Sequence, residues 1–360
     1  MIDILGRNYS ALDMRRFFGD ASSIAGTRRF RLCDGKSRDC EIIEVSTGSG
    51  LVYEVNATRG MDLGRCSYRG IPLAYQSYDR EVNSSYFDSA DDAWLRNYAG
   101  GMLVTCGLRS IGTPGVDRGE HLPLHGRISN TPAERLSVDE RFDDEGGVLS
   151  IRGSVRESKA LDYNLVLSRT ISSRIGTNVI DIDDTVENQG FETQELMVLY
   201  HFNIGHPILD QGAKLMHDSL SVRPRDRNAD RQPEPFDEYL APTPHYKDIV
   251  YYHRLRPSED GVCTIGIANE RIGMGLMLTF ELDELDCLTQ WKFLGEGNYV
   301  AGIEPGNAFV DGRAAERRKG NVKTIGPQEK RHFGIRLEIL TSAEEIEVLK
   351  RATNTEEELS

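Results

Sequence analysis

From about Cys40 onward, hydrophobic and polar residues alternate one for one along much of the chain. Segments such as "EIIEVSTGSGLVYEVNA", "LDYNLVLSRTISS", "NVIDIDDTVEN", "VCTIGIANE", "MGLMLTFEL" and "RHFGIRLEIL" have the period of two that sends successive side chains to opposite faces of a sheet. Gly, Asn, Asp and Pro punctuate the gaps between them. Helical spacing stands out in three places: near Ala11 to Phe18, across Ala90 to Tyr98, and from Ser342 to Arg351. Strands joined by turns, without regular intervening helices, predict an all-β fold: a large antiparallel β-sandwich with a few short peripheral helices. No period of about 20–50 residues recurs, so neither a propeller nor a solenoid is expected.

The predicted organisation is an N-terminal extension over residues 1–39 packed on the main domain, a sandwich domain over 40–340, and a C-terminal helix and tail over 341–360. Five prolines and many charges interrupt the strand pattern at 223–247. Strands resume on both sides, so this stretch reads as a long loop within one domain.

Charge narrows the partners. A formal net charge of -14 over 360 residues repels polyanions and anionic membranes over a Debye length of about 8 Å, so nucleic acid and membrane are not expected partners. The basic runs at Arg223 to Arg231 and Arg313 to Lys323 are diluted by Asp, Asn, Glu or Gly and read as solvated surface. Six cysteines form no C-x-x-C pair, which argues for reduced thiols and against a zinc knuckle. The N-terminus lacks an apolar signal core and no run of about 18 apolar residues offers a span; the expected location is the cytoplasm.

Five stretches carry candidate chemistry. In "LMVLYHFNIGHP", His201 shares a strand face with Leu199 and Asn203, with Tyr200 and Phe202 opposite; it is either a cleft residue or a buried structural histidine. In "NYVAGIEPGN", Glu304 precedes Pro305, whose ring favours an extended backbone at a strand end; a surface turn is the alternative. In "LPLHGRISN", Gly126 follows His125 and permits close backbone approach. Arg109 sits among glycines in "TCGLRSIGTPG", and its donor fork suits hydroxyls or a carboxylate. Arg59 and Asp62 flank Gly60 and Met61, either as functional groups or as a structural ion pair.

The order of these motifs, with "RGMDLGRCSYRGIPL", "GGMLVTCGLRSIG" and "TIGPQEKRHFGIRLEIL", resembles the aldose 1-epimerase (galactose mutarotase-like) superfamily, in particular a divergent, mostly uncharacterised branch of it. The resemblance spans roughly Glu41 to Leu340. It implies a sandwich binding a sugar across one concave sheet, with His201 as general acid at the ring oxygen and Glu304 as general base at the anomeric hydroxyl. His125 and Arg109 correspond to residues that hold the sugar, and Asn203, Arg59 and Asp62 join them as substrate-binding candidates. The family's substrate-binding aspartate has no clear counterpart; Asp237 in "PFDEY" is a weak one, and the Arg59–Asp62 stretch is placed to fill the gap.

A carboxylate and an imidazole suffice for ring opening and closure, so no cofactor and no metal are expected. Two rivals stand beside the enzyme: a non-catalytic carbohydrate-binding protein on the same fold, and a metal-dependent isomerase or lyase using His121, His125, His201, His206 and Glu304. Pro123 between His121 and His125 breaks the helix that would align both rings, which weighs against the second. Homo-oligomerisation is left open.

Overall fold

The computed structural model describes residues 2–4, 6–143, 146–232 and 234–353. The alternating segments form two antiparallel sheets facing each other across one core. The eight-stranded sheet runs, in spatial order, from Ala133–Asp143 through Gly146–Ser158, Asn164–Arg174, Val179–Asn188, Lys330–Leu340, Met274–Glu281 and Val262–Asn269 to Lys214–His217. The eleven-stranded sheet is centred on Ile249–Leu255, Cys287–Leu294, Tyr299–Gly306, Leu199–Ile204 and Leu103–Cys106, in that order.

The two sheets use the pleat differently. Along Val179–Asn188 the inward positions Ile180, Ile182 and Val186 are buried and the intervening Asp181, Asp183 and Thr185 are not, the pattern of a sheet with one face in water. Leu199–Ile204 is buried at every position. Tyr200, Phe202 and Ile204 join the inter-sheet core, each such side chain contributing about 1.5–3 kcal/mol on burial. Leu199 packs on the other face against Cys106, Met197 and Val250. The outer face of the large sheet is therefore covered as well, and what covers it forms the candidate site.

One charged network crosses the core. Arg169 binds Asp184 through Nε–Oδ1 at 2.9 Å and Nη2–Oδ2 at 2.6 Å, and its Nη1 donates to the Gly60 carbonyl at 3.1 Å and Asp62 Oδ1 at 3.3 Å. The Tyr200 hydroxyl donates to Asp184 Oδ2 at 2.7 Å. Arg169 and Asp184 belong to the smaller sheet, Asp62 and Tyr200 to the larger, so the network ties the layers together.

The periphery departs from the sequence reading in three places. Gly26–Arg31, within the expected extension, is a strand paired with Glu41–Ser46 at the edge of the large sheet. The segment from Ala90 to Tyr98 forms a 3-10 turn, Ala93–Asn97, where an α-helix is expected. Asp92 supplies no side-chain cap, and the three-residue period brings Trp94 and Asn97 inward together. The basic run from Arg313 is solvated surface only in part: it forms the helix Arg313–Lys319, in which Arg318 and Lys319 are exposed while Arg313 is buried.

The other two helices agree with their spacing. Ala11–Phe17 starts with a capping box between Ser10 and Asp13. Ala343–Ala352 is capped by Ser342 and docks Ile346 and Leu349 beside Met216, Ala268 and Leu340. The tail after Thr353 lies outside the described residues. The 223–247 stretch is fastened to the large sheet: Lys292 Nζ donates to the Glu238 carbonyl at 2.7 Å and Gln290 Nε2 to the Phe236 carbonyl at 2.7 Å. Among the described residues, no helix is long and apolar enough to cross a membrane.

Candidate active site

The outer face of the large sheet is organised in cross-strand rows. The pairs Leu199↔Gly306 and Phe202↔Ile303 put His201 directly across from Glu304, and Glu304 pairs in turn with Thr289. His201 Nε2 lies 3.2 Å from Glu304 Oε1, with both side chains almost wholly buried. The next row contains Gly302 and Trp291, which pair directly. Glycine at 302 leaves the pair its room: a Cβ there would stand 2.6 Å from Glu304 Oε1 and 3.3 Å from His201 Cε1, and the carboxylate would have to shift. A third row holds Phe293, paired with Val300.

A cavity of about 410 Å³ lies over these rows. Trp94, Tyr98 and His125 form one wall, with Trp94 stacked on Tyr98 at 5.1 Å and 4.9 Å from the His125 ring. Trp291 stands edge-on to His201 at 5.4 Å. Arg225 and Asp248 close the far side, joined by Nη2–Oδ2 at 3.3 Å. Apolar ring faces with a few convergent polar groups suit a molecule that has both C–H faces and hydroxyls. Three buried polar atoms around the cavity, His125 Nδ1, His201 Nδ1 and Thr289 Oγ1, have no hydrogen-bond partner among the described residues.

Burial controls the charges. It raises the Glu304 carboxyl above the usual carboxylate range, opposed by the positive charge of Arg225. It lowers His201, with His125 nearby adding to the effect, and lowers His125 by desolvation. Each group is thus pushed toward its neutral form, and His201 Nε2 and Glu304 Oε1 face each other at 3.2 Å.

The structure brings three sequence candidates together, His201, Glu304 and His125, and sends four elsewhere. His201 and Glu304 are cross-strand neighbours on one sheet face, and their contact is compatible with the roles that the resemblance implies, because the anomeric hydroxyl and the ring oxygen are bonded to the same carbon. His125 reaches the cavity from a left-handed backbone with φ 56°, and hydrogen bonds to Gly112 and Gly107 hold its backbone. Gly126 serves this clamp and not a ligand: a Cβ there would lie 2.3 Å from the Gly107 carbonyl oxygen.

Arg109 does not line the cavity. Its guanidinium binds Glu120 at 2.6 Å and Glu195 at 3.3 Å and lies over the Tyr163 ring, in a network shared with Arg313 and Arg317. Asn203 is consumed internally: Oδ1 accepts from the Tyr98 hydroxyl at 2.6 Å, and Nδ2 donates to the Gly101 and His201 carbonyls. Arg59 donates to the carbonyls of Ser129, Val82 and Asn97. Asp62 accepts from Thr105 N and Arg169. These last two form no ion pair with each other; each secures a different backbone segment. Asp237 is not part of the cavity lining either.

Sequence reasoning passed over Trp94, Tyr98, Arg225, Asp248 and Trp291. A signal existed for Trp291, since the alternation in "LTQWKFL" puts Thr289, Trp291 and Phe293 on one face. Among the described residues, no group of three or more His, Cys, Asp or Glu side chains is arranged to hold a metal ion; His121 and His206 are exposed and lie outside the cavity lining.

Two facing antiparallel sheets with a buried His–Glu pair under an aromatic cavity put the chain among proteins of the galactose mutarotase-like fold. It is similar to the "putative aldose 1-epimerase" of Klebsiella pneumoniae subsp. pneumoniae, with a TM-score of 0.87 and 25% identity over 91% of this chain and 87% of that one. Two more distant structures share the fold. A galactose mutarotase-like protein from Clostridium acetobutylicum has a TM-score of 0.58 and 14% identity over 89% of this chain and 99% of that one. Galactose 1-epimerase from Lactobacillus acidophilus has a TM-score of 0.57 and 13% identity over 88% and 99%. The chain belongs to the family described as "Domain of unknown function (DUF4432)", whose model matches residues 37–339. No curated protein sequence matches it.

Proposed function

We propose that this protein interconverts the α and β anomers of a reducing sugar, with His201 and Glu304 as the proton-transferring pair. The observation that carries the reading is the 3.2 Å contact between His201 Nε2 and Glu304 Oε1 on the floor of the cavity. For ring opening, the Glu304 carboxylate takes the anomeric proton, the bond from the anomeric carbon to the ring oxygen breaks, and protonated His201 gives its proton to that oxygen. The pair is then left as neutral acid and neutral imidazole, the state that burial favours. Rotation of the aldehyde and the reverse transfers close the ring on the other face, with no net gain or loss of protons. Arg225 favours the ionised carboxylate needed to begin, and His125 offers a hydrogen bond to a sugar hydroxyl.

The test is exchange spectroscopy by NMR on α and β anomers across a panel of reducing sugars. Glu304→Gln and His201→Asn are each expected to slow interconversion by about 10²-fold or more while sugar binding persists. The double variant is expected to be little worse than either single one, since both groups act in one transition state. Wild-type exchange rates in both single variants would remove the pair from catalysis, and a wild-type protein that binds a sugar without speeding its exchange would leave a sugar-binding role in place of an enzymatic one.

A further inference from the structure

Beyond the third row, the cavity does not end. A second, more open cavity of about 600 Å³ shares Phe293 and Asp248 with the first and continues past Tyr246 to Arg227 and Lys247. The strand Cys287–Leu294 forms a ruler for this run. Thr289 is level with Glu304, and Phe293, four residues on, lies about 13 Å farther at the usual rise of a strand. That distance accommodates two linked pyranose rings, whereas one ring over the His201–Glu304 pair reaches little past Trp291.

The far cavity also has the character of a sugar subsite. The Tyr246 ring stands edge-on to Phe293 at 6.3 Å. Around these rings the carboxylates of Asp226 and Asp248 alternate with the cations of Arg227 and Lys247. Arg225 pairs with both carboxylates, at 3.1 Å from Asp226 and 3.3 Å from Asp248, so charges of both signs are interleaved there. A neutral polyol, each hydroxyl of which both donates and accepts, can use groups of both signs.

We infer that the substrate is a reducing disaccharide, or a glycosylated sugar of that size, with its reducing ring over His201 and Glu304 and its second ring between Phe293, Tyr246 and Asp248. The inference rests on the anomer-exchanging reading of the inner site. It makes the outer groove the part that selects substrate, since the inner floor meets only the two oxygens and the ring common to all aldoses.

Titration calorimetry and anomer-exchange NMR with glucose, galactose, maltose, cellobiose, lactose and glucose 6-phosphate test it. At least one disaccharide is expected to bind about tenfold or more tightly than its reducing-end monosaccharide. The exposed pair Arg227→Ala/Lys247→Ala is expected to remove most of that advantage while leaving monosaccharide exchange unchanged. Equal affinity for monosaccharides and all three disaccharides, an advantage that survives in the double variant, or tightest binding of glucose 6-phosphate would each overturn it. Exchange without a disaccharide advantage sinks this inference alone; a disaccharide advantage without exchange in any sugar sinks the enzymatic reading alone.

Discussion

A single hydrogen at Gly302 leaves room for the His201–Glu304 pair proposed as the proton-transferring groups. Its backbone does not require glycine, as no left-handed φ occurs there, so the constraint is space. Gly302→Ala puts a methyl where Glu304 Oε1 passes and is expected to lower kcat by about 10²-fold, as for loss of a positioned base, with little change in thermal stability; a kcat within twofold of wild type would show that the carboxylate has another resting place. The same two residues set the pH dependence. Activity needs one proton on the pair: adding a second is resisted because burial lowers His201, and removing the first is resisted because burial raises Glu304. A plot of kcat/KM against pH should therefore be a broad bell spanning neutral pH, its acid limb below the ordinary histidine range and its alkaline limb above the ordinary glutamate range. Arg225→Gln removes the cation that opposes the Glu304 shift, so its alkaline limb should move further up; a downward move would contradict the charge assignment.

At the level of elements, the loops over the outer face divide into those that build the cavity and those that brace it. The 3-10 turn Ala93–Asn97 delivers Trp94, and the Trp94 indole donates to Ser129 Oγ at 3.3 Å. Behind it, the arginines 109, 313 and 317 with Asp117, Glu120 and Glu195 join the 105–120 loop to the helix Arg313–Lys319. Arg109→Ala is thus expected to cost about 1 kcal/mol of stability by leaving the half-buried carboxylates of Glu120 and Glu195 short of a donor, and to leave sugar affinity unchanged in calorimetry. Strands were legible in the sequence because a period of two is local information. His201, Glu304 and His125 were legible because their motifs follow strand parity and turn chemistry. Asn203 misled for an instructive reason: parity puts a side chain on a face but does not say whether a tyrosine from another loop will cover it. Arg225 and Trp94 stayed hidden because loops far apart in sequence bring them to the cavity, and the partners of Arg59, Asp62 and Arg109 are equally non-local.

Across the whole molecule, the two sheets are joined by apolar packing and, within it, by the buried Arg169 network. Arg169→Met would leave Asp184 and Asp62 without their cation in the core, and breaking a buried pair from one side costs about 3–5 kcal/mol. A urea unfolding midpoint unchanged from wild type would mean that the carboxylates find another donor or become protonated without penalty. The central strands of the large sheet meet two demands at once, because one face closes the core and the other forms the cavity floor. Along Leu199–Ile204, Tyr200 and Phe202 belong to the inter-sheet core while His201, one position away, lines the cavity. Substitutions at alternate positions of such a strand can therefore reshape the cavity floor without disturbing the core, so one sandwich can carry floors of different chemistry.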